Sequence, residues 1–326
     1  MKRILTLALV SILSTSCLAQ QHPGAEEFAA KAAAEYGLDQ EQVLLYLQDA
    51  RFKQSIVDAI SRPAEAKPWY KYRPIFITDK RIKGGVKFWR ENEALINQAS
   101  EKFGVDPQII VAIIGVETFY GSITGSYRVL DALTTLSFYY PDTGNDRSAF
   151  FSKELMSFFL LGGEEGLPLE DVTGSYAGAM GLGQFMPSSY LEYSVDLDGD
   201  GRRDLWSSMP DVIGSVANYL HRHGWELNQP VTFPAIKADD ANLELVAKRD
   251  FKAKTPVAEI AAGGFSSTEP VDPGMLAAVA RLEEENGDEY FITFKNFYVI
   301  TRYNRSPLYA MAVYELSEAV RAGFEE

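Results

Sequence analysis

The chain is poor in the side chains that build covalent or metal frameworks. It has one cysteine, Cys17, and three histidines in 326 residues. A single thiol excludes an internal disulfide. His221 and His223 read as cations in the last turn of a helix and are not spaced with other ligands as a metal site. Basic charge is also short: 31 Lys and Arg face 45 Asp and Glu, a net charge of −14. That balance argues against nucleic acid as a partner, because a broad basic surface is missing. No apolar run beyond the N-terminus is long enough to cross a membrane. No internal repeat or low-complexity tract is evident. What is present, 46% hydrophobic and 23% charged residues, is ordinary for a globular protein of two or three lobes.

Residues 1–19 read as an export signal. Lys2 and Arg3 precede a ten-residue apolar run at 4–13, followed by small residues up to Ala19. Two processing routes are open: cleavage after Ala19, or lipidation of Cys17 as the first residue of a bacterial lipoprotein. Ser14 stands where such a lipid signal usually has Leu. Either route places the mature chain in the periplasm, the second also on the outer membrane.

Residues 25–62 look helical, with a break at Gly37. Residues 63–78 carry Pro63, Pro68 and Pro74 among Trp69, Tyr70, Tyr72 and Phe76, which predicts an extended aromatic linker. Residues 79–103 read as one helix closed by Gly104. Asp131 opens another, a polar turn follows at 142–146, and residues 147–161 are helical. Residues 211–224 form a well-signalled helix that Asp211 can cap, with Ile213, Val216, Ala217 and Leu220 on one face. Prolines and short β-like stretches then mark an insert at 228–288, within which 242–249 and 275–280 have helical character. Residues 290–294 and 297–303 are β-branched and aromatic, as strands are, and 309–324 look helical.

The most informative stretch is residues 106–121. Asp106 suits an N-cap and Pro107 the first helical position. Ile109, Ile110, Val111, Ala112, Ile113, Ile114 and Val116 then carry no charge, and a helix apolar all round is buried. Glu117 comes about three turns after the cap. A carboxylic acid there loses hydration, which favours its neutral form and equips it to donate a proton, as glycosidic cleavage requires. The same residue also fits a helix end that simply reaches solvent. A second stretch, 174–187, packs Gly174, Gly178, Gly181 and Gly183 with small residues around Gln184. It suits either a loop hugging a polymer or a tight packing turn in which Gln184 satisfies backbone groups.

These stretches resemble the membrane-bound lytic murein transglycosylase B family of lysozyme-like enzymes. The resemblance rests on four pieces in order: Ile113-Ile114-Gly115-Val116-Glu117-Thr118; Ala177-Gly178-Ala179-Met180-Gly181 continuing through Gly183-Gln184-Phe185-Met186-Pro187-Ser188-Ser189-Tyr190; Ile213-Gly214-Ser215-Val216-Ala217-Asn218-Tyr219; and Asn296-Phe297-Tyr298-Val299-Ile300-Thr301-Arg302-Tyr303-Asn304. It implies a mainly α, α+β chain. An N-terminal helical lobe with its strap would occupy 20–104 and a lysozyme-like catalytic core 105–227. A β-containing insert would take 228–292, and 293–326 would return to the core. It implies that Glu117 is the lone acid/base cleaving the bond between N-acetylmuramic acid and N-acetylglucosamine in peptidoglycan, with closure of a 1,6-anhydro ring. Ser175, Gln184, Tyr219, Tyr303, Asn304, Tyr309 and Tyr72 match residues lining the family's substrate groove. The family commonly has two adjacent arginines before the glycine block; here the 142–146 turn is inserted and only Arg147 remains.

Asp196, Asp198, Asp200 and Asp204 fall at positions 1, 3, 5 and 9 of an EF-hand-like loop, with Gly201 at position 6. Arg202 offers only its carbonyl, and position 12 is Ser207 rather than Glu. The loop equally fits a solvated acidic turn. By the resemblance, Asp211 closes a lengthened calcium loop of structural purpose, with no organic cofactor. Two rival readings stand beside the transglycosylase: a hydrolytic muramidase using the same acid, and a non-catalytic peptidoglycan-binding protein.

Overall fold

The computed structural model describes residues 22–62 and 67–326. The export signal, Cys17 and Pro63 lie outside the described residues. The chain runs through helices α1 (Ala25–Tyr36), α2 (Gln40–Asp49), α3 (Gln54–Ile60), α4 (Trp69–Phe76), α5 (Asp79–Glu91), α6 (Glu93–Phe103) and α7 (Pro107–Thr118). Strand β1 (Tyr127–Arg128) leads into α8 (Val129–Phe138) and α9 (Ser148–Glu165), then β2 (Thr173–Gly174), α10 (Pro187–Tyr193) and α11 (Met209–Arg222). The insert holds β3 (Thr232–Lys237), β4 (Thr255–Pro256), α12 (Val257–Ala262), β5 (Phe265–Ser267), β6 (Leu276–Glu284) and β7 (Gly287–Thr293). Helices α13 (Lys295–Tyr303) and α14 (Pro307–Glu325) follow.

Helix α7 is the axis of the fold. Every residue from Ile109 to Val116 is buried, and α14, α5, α6 and α11 pack around it. With no polar face, this helix gains its stability from burial on all sides, about 1.5–3 kcal/mol for each large side chain. Asp106 occupies its N-cap position but makes no cap hydrogen bond. Its carboxylate instead accepts from Trp225 Nε1 at 2.8 Å and from the Asn228 backbone N–H, tying α7 to the end of α11.

Several expected elements take a different form. Residues 69–76 are helical rather than extended: Pro68 serves as N-cap, and Trp69 and Tyr72, three apart, both turn into the core. The helix expected over 79–103 is two, α5 and α6, meeting at Asn92. Ser208, not Asp211, caps α11, accepting from the Asp211 N–H. Residues 297–303 are α13, a helix in place of β-like structure. Conversely, 276–284 form β6, and the helical turn near 242 is a single 3-10 turn at Leu243–Leu245.

The insert is an antiparallel sheet in the order β4-β6-β7-β3-β5. Ala280 pairs with Phe291, and Ala235 with Tyr290. Its inner face, with α12, makes a second, smaller core of Val257, Ile260, Phe265, Ala277, Val279, Ile292 and Phe294.

Candidate active site

Glu117 sits in the last turn of α7 and is half-buried, so it borders both core and solvent. The chain then turns sharply. Phe119 and Tyr120 both adopt left-handed backbone, with φ of 51° and 56°, a conformation that costs a bulky residue about 1–3 kcal/mol and persists where packing enforces it. Packing does so here. The Tyr120 ring stacks on Phe88 and seats against Gly115, where an added Cβ would lie 2.6 Å from its Cζ and Oη. Gly115 is therefore required by the close approach of that ring. Thr118 completes the turn: its Oγ1 donates to the Leu182 carbonyl at 3.0 Å and accepts from Gly121 N–H. This joins the acid's helix to the glycine block.

A column of aromatic rings leads away from the acid. Tyr309 Oη, at the start of α14, donates to Glu117 Oε1 at 2.5 Å. The Tyr309 ring stacks on Tyr303, at 6.5 Å and 11°. Tyr303 meets Tyr219, which stacks on His223 at 4.2 Å. The hydroxyls between are spent on backbone: Tyr303 Oη donates to the Gly183 carbonyl and Tyr219 Oη to the Arg302 carbonyl, both at 2.6 Å. Burial, reinforced by the nearby Glu117 charge, holds the Tyr303 and Tyr309 phenols well above their ordinary range. Tyr309 is therefore a proton-bearing donor at any ordinary pH. Tyr72, buried against Trp69 and Phe76, also bears electrostatically on Tyr309.

The glycine block is a tight turn. Met180 and Phe185 exchange backbone hydrogen bonds, and Gly181 is left-handed at φ 67°, with the Leu205 carbonyl 2.5 Å from where a Cβ would stand. Gln184 Nε2 is engaged by the carbonyls of Gly181 and Thr124, so its amide nitrogen holds the loop together. Ser175 Oγ accepts from the Ala177 and Ala179 N–H groups. Asn304 follows the last residue of α13, next to Tyr303. Arg147 stands apart: its guanidinium lies over Phe150 at 4.8 Å and Phe151 at 5.3 Å. Among the described residues no hydrogen bond or ring contact links it to the column.

Thr118, Tyr193 and Arg302 border this arrangement and were not singled out from the sequence; His223, read there as a helix-end cation, instead stacks on Tyr219, and burial disfavours its charged form. Thr118 alone had a signal: a hydroxyl at the end of a buried apolar helix must find a partner.

Of the expected loop ligands, Asp196, Asp198 and Asp211 bring carboxylate oxygens within 4.8 Å of one another. Asp211 also accepts from Leu197 and Asp204 N–H groups. Asp200 instead accepts from the Arg202 N–H. Burial, with the neighbouring Asp198 charge, pushes the Asp211 carboxyl up. Crowded, hard oxygen donors of one sign fit a calcium ion.

The transglycosylase SLT domain model matches residues 20–318. The chain belongs to that family. It is 41% identical over 309 residues to membrane-bound lytic murein transglycosylase B of Escherichia coli K12, covering 92% of this chain and 83% of that protein. Among solved structures, soluble lytic transglycosylase SltB1 of Pseudomonas aeruginosa superposes with a TM-score of 0.84 at 45% identity, over 93% of this chain and all of that one. The E. coli lytic transglycosylase Slt35, in complex with calcium, superposes at 0.82 with 40% identity, over 94% and 95%. The catalytic body is thus lysozyme-like. Among the described residues no helix is long and apolar enough to cross a membrane.

Proposed function

We propose that this chain is a peptidoglycan lytic transglycosylase that cleaves the bond between N-acetylmuramic acid and N-acetylglucosamine with Glu117 as sole acid/base. Glu117 gives its proton to the bridging oxygen as the C1–O bond breaks. It then takes the proton of the muramoyl 6-hydroxyl, whose oxygen bonds to C1 and closes the 1,6-anhydro ring. No water is consumed, and Glu117 ends protonated. The observation that carries this reading is the placement of that carboxylate, half-buried at the end of an apolar helix and accepting from Tyr309 Oη at 2.5 Å. Glycosidases with a paired mechanism set two carboxyl groups about 5–10 Å apart. A hydroxyl carried by the substrate itself makes a second carboxylate unnecessary.

The roles of the neighbouring residues follow from their placement. Tyr309 holds the carboxylate in one orientation, as a positioning donor. Tyr303 offers a partly exposed aromatic face suited to sugars, the buried Tyr219 and Tyr72 would support the groove rather than face it, and Ser175 and Gln184 fix the loop alongside, with Asn304 next to Tyr303. Arg147 is at most an outlying contact for substrate carboxylates. Asp196, Asp198 and Asp211, with Asp200 and the Arg202 carbonyl nearby in sequence, would hold Ca²⁺, which would supply charge neutralisation to the loop between α10 and α11. The export signal suits a periplasmic enzyme, with Cys17 as a route to an outer-membrane anchor.

Mass spectrometry of sugars released from purified peptidoglycan tests the reaction. The transglycosylase gives 1,6-anhydromuramoyl ends. Reducing ends one water heavier would establish a hydrolytic muramidase instead.

A further inference from the structure

Behind Tyr219 the ring column opens into a pocket of about 310 Å³. Helix α10 contributes Ser188 and Tyr193, α11 contributes Tyr219 and His223, and the end of α13 with its following turn contributes Arg302 and Arg305. We propose that this pocket binds the carboxylates of the peptide stem carried by a muramoyl residue, an inference that rests on the peptidoglycan reading above.

Charge is the first argument. In a chain of net charge −14, this wall carries two arginines, Arg302 and Arg305, neither in a salt bridge among the described residues, although Arg302 also acts at longer range on the Asp250 carboxyl. Arg305 is exposed and enters no salt bridge among the described residues. The Arg302 guanidinium lies 4.3 Å from the Tyr298 ring centroid, and one terminal nitrogen donates to Thr301 Oγ1 at 3.2 Å. Its buried Nε has no partner among the described residues. The pocket's own acid, Glu192, is paired with Arg222 at 3.2 Å. An arginine stacked on an aromatic face is held in place before ligand arrives, and its planar fork matches a carboxylate.

Position is the second. Tyr219 forms part of the pocket wall and also of the column that reaches Glu117 through Tyr303 and Tyr309. Glu117, Arg302 and Arg305 all act electrostatically on the Tyr219 phenol, so acid and cations share one neighbourhood. Sugar rings are uncharged and need no arginine. The anionic part of the polymer is the peptide attached to the muramoyl lactyl group, and a muramoyl unit placed for cleavage carries that peptide with it. Arg147, committed to Phe150 and Phe151, does not serve this pocket.

The test compares intact peptidoglycan with peptidoglycan stripped of its peptides by an amidase, which retains only the lactyl carboxylate. Initial rates of anhydro-sugar release are measured for the full-length parent and for Arg305→Glu. On intact strands the variant should raise KM by about tenfold or more, with kcat within about twofold and an unchanged melting temperature. On stripped strands the KM change should stay below about threefold. Arg302→Gln should show the same asymmetry. Equal KM changes on the two substrates would assign the arginines to the lactyl group or the glycan and overturn the inference, as would no change on either. A parent that releases hydrated rather than anhydro sugars would defeat the functional reading itself, a result distinct from the loss of peptide selectivity.

Discussion

Replacing Glu117 by Gln removes one ionisable proton and changes almost nothing else. The amide is nearly isosteric, and its oxygen can still accept the Tyr309 hydroxyl that now sits 2.5 Å from Oε1. The folding cost is the difference between a charge-assisted and a neutral hydrogen bond, about 1 kcal/mol, or a few degrees in melting temperature. The catalytic cost is far larger. A single general acid or base contributes about 10²–10⁴-fold, and Glu117 is asked to act in both senses. Release of anhydro-muropeptides from purified peptidoglycan should therefore fall by about 10³–10⁴-fold or more, equivalent to about 4–5.5 kcal/mol of barrier. A second substitution makes the argument stricter. Tyr309→Phe alone removes a charge-assisted donor, worth about 1.5–3 kcal/mol, and should slow the parent by about 10–100-fold. In the Glu117→Gln background the same change should cost less than about threefold, because the two groups act as one unit. Glu117→Gln protein that keeps activity within tenfold of the parent would refute the assignment. Full additivity of the two losses would refute the coupling through Tyr309.

Three further outcomes follow from the geometry. Gly115→Ala drives a methyl group to 2.6 Å from the Tyr120 ring and should cost about 1–3 kcal/mol by overpacking, read as a drop of several degrees in a calorimetric scan with reduced activity; a shift under one degree would contradict it. If Asp196, Asp198 and Asp211 hold calcium, chelator should lower the melting temperature, by about 2.7 kcal/mol of stability for a metal previously at a hundred times its Kd, and Asp198→Ala should abolish the chelator effect; identical scans with and without chelator would count against the site. Glu154 is buried while accepting from Ser188 N–H and Oγ–H, and burial raises its carboxyl above the ordinary range. Its native form thus keeps a proton that the unfolded form releases, so its contribution is present below the ordinary carboxylate range and lost as pH rises through the raised value. Melting temperatures of the parent relative to Glu154→Gln should fall across that window, and a parallel pair of curves would argue otherwise.

The buried axis was legible in sequence because α7 needs no context: eight consecutive apolar residues after a Pro at the first helical position allow little else. Where the sequence reading failed, tertiary contacts outvoted local signals. Three prolines near residue 70 suggested an extended strap, yet Pro68 precedes α4 and Pro74 lies close to its end, positions a short helix tolerates better than its centre. Residues 297–303 are β-branched and aromatic, but α13 is pinned at its start by Asn296, whose amide spans the Glu226 and Gln229 carbonyls. The alanines before residue 281 form a strand because β4 and β7 lie on either side of it. At the candidate site, Glu117 and the glycine block were each conspicuous in sequence. The ring column was not, since Tyr219, Tyr303 and Tyr309 come from three helices and share no periodicity, and Tyr72 comes from a fourth. Their identity came through resemblance to a family, and their mutual contacts only through the fold.

On the proposed mechanism, the column would let one carboxylate serve both halves of a reaction. A second catalytic group, if it titrated near Glu117, would impose its own charge on the acid. The neighbours here do not: burial keeps Tyr303 and Tyr309 protonated well beyond the working range. They are fixed dipoles whose hydroxyls are already assigned, to Gly183 in one case and to Glu117 in the other. A donor that never changes protonation can follow Glu117 through loss and recovery of its proton without competing for it. Because α14 both supplies Tyr309 and packs along α7, the distance that orients the acid is set by helix packing rather than by a loop. Substitutions that loosen the α7–α14 interface should therefore reduce kcat before they unfold the chain, and the aromatic rings should be more sensitive to shape than to charge.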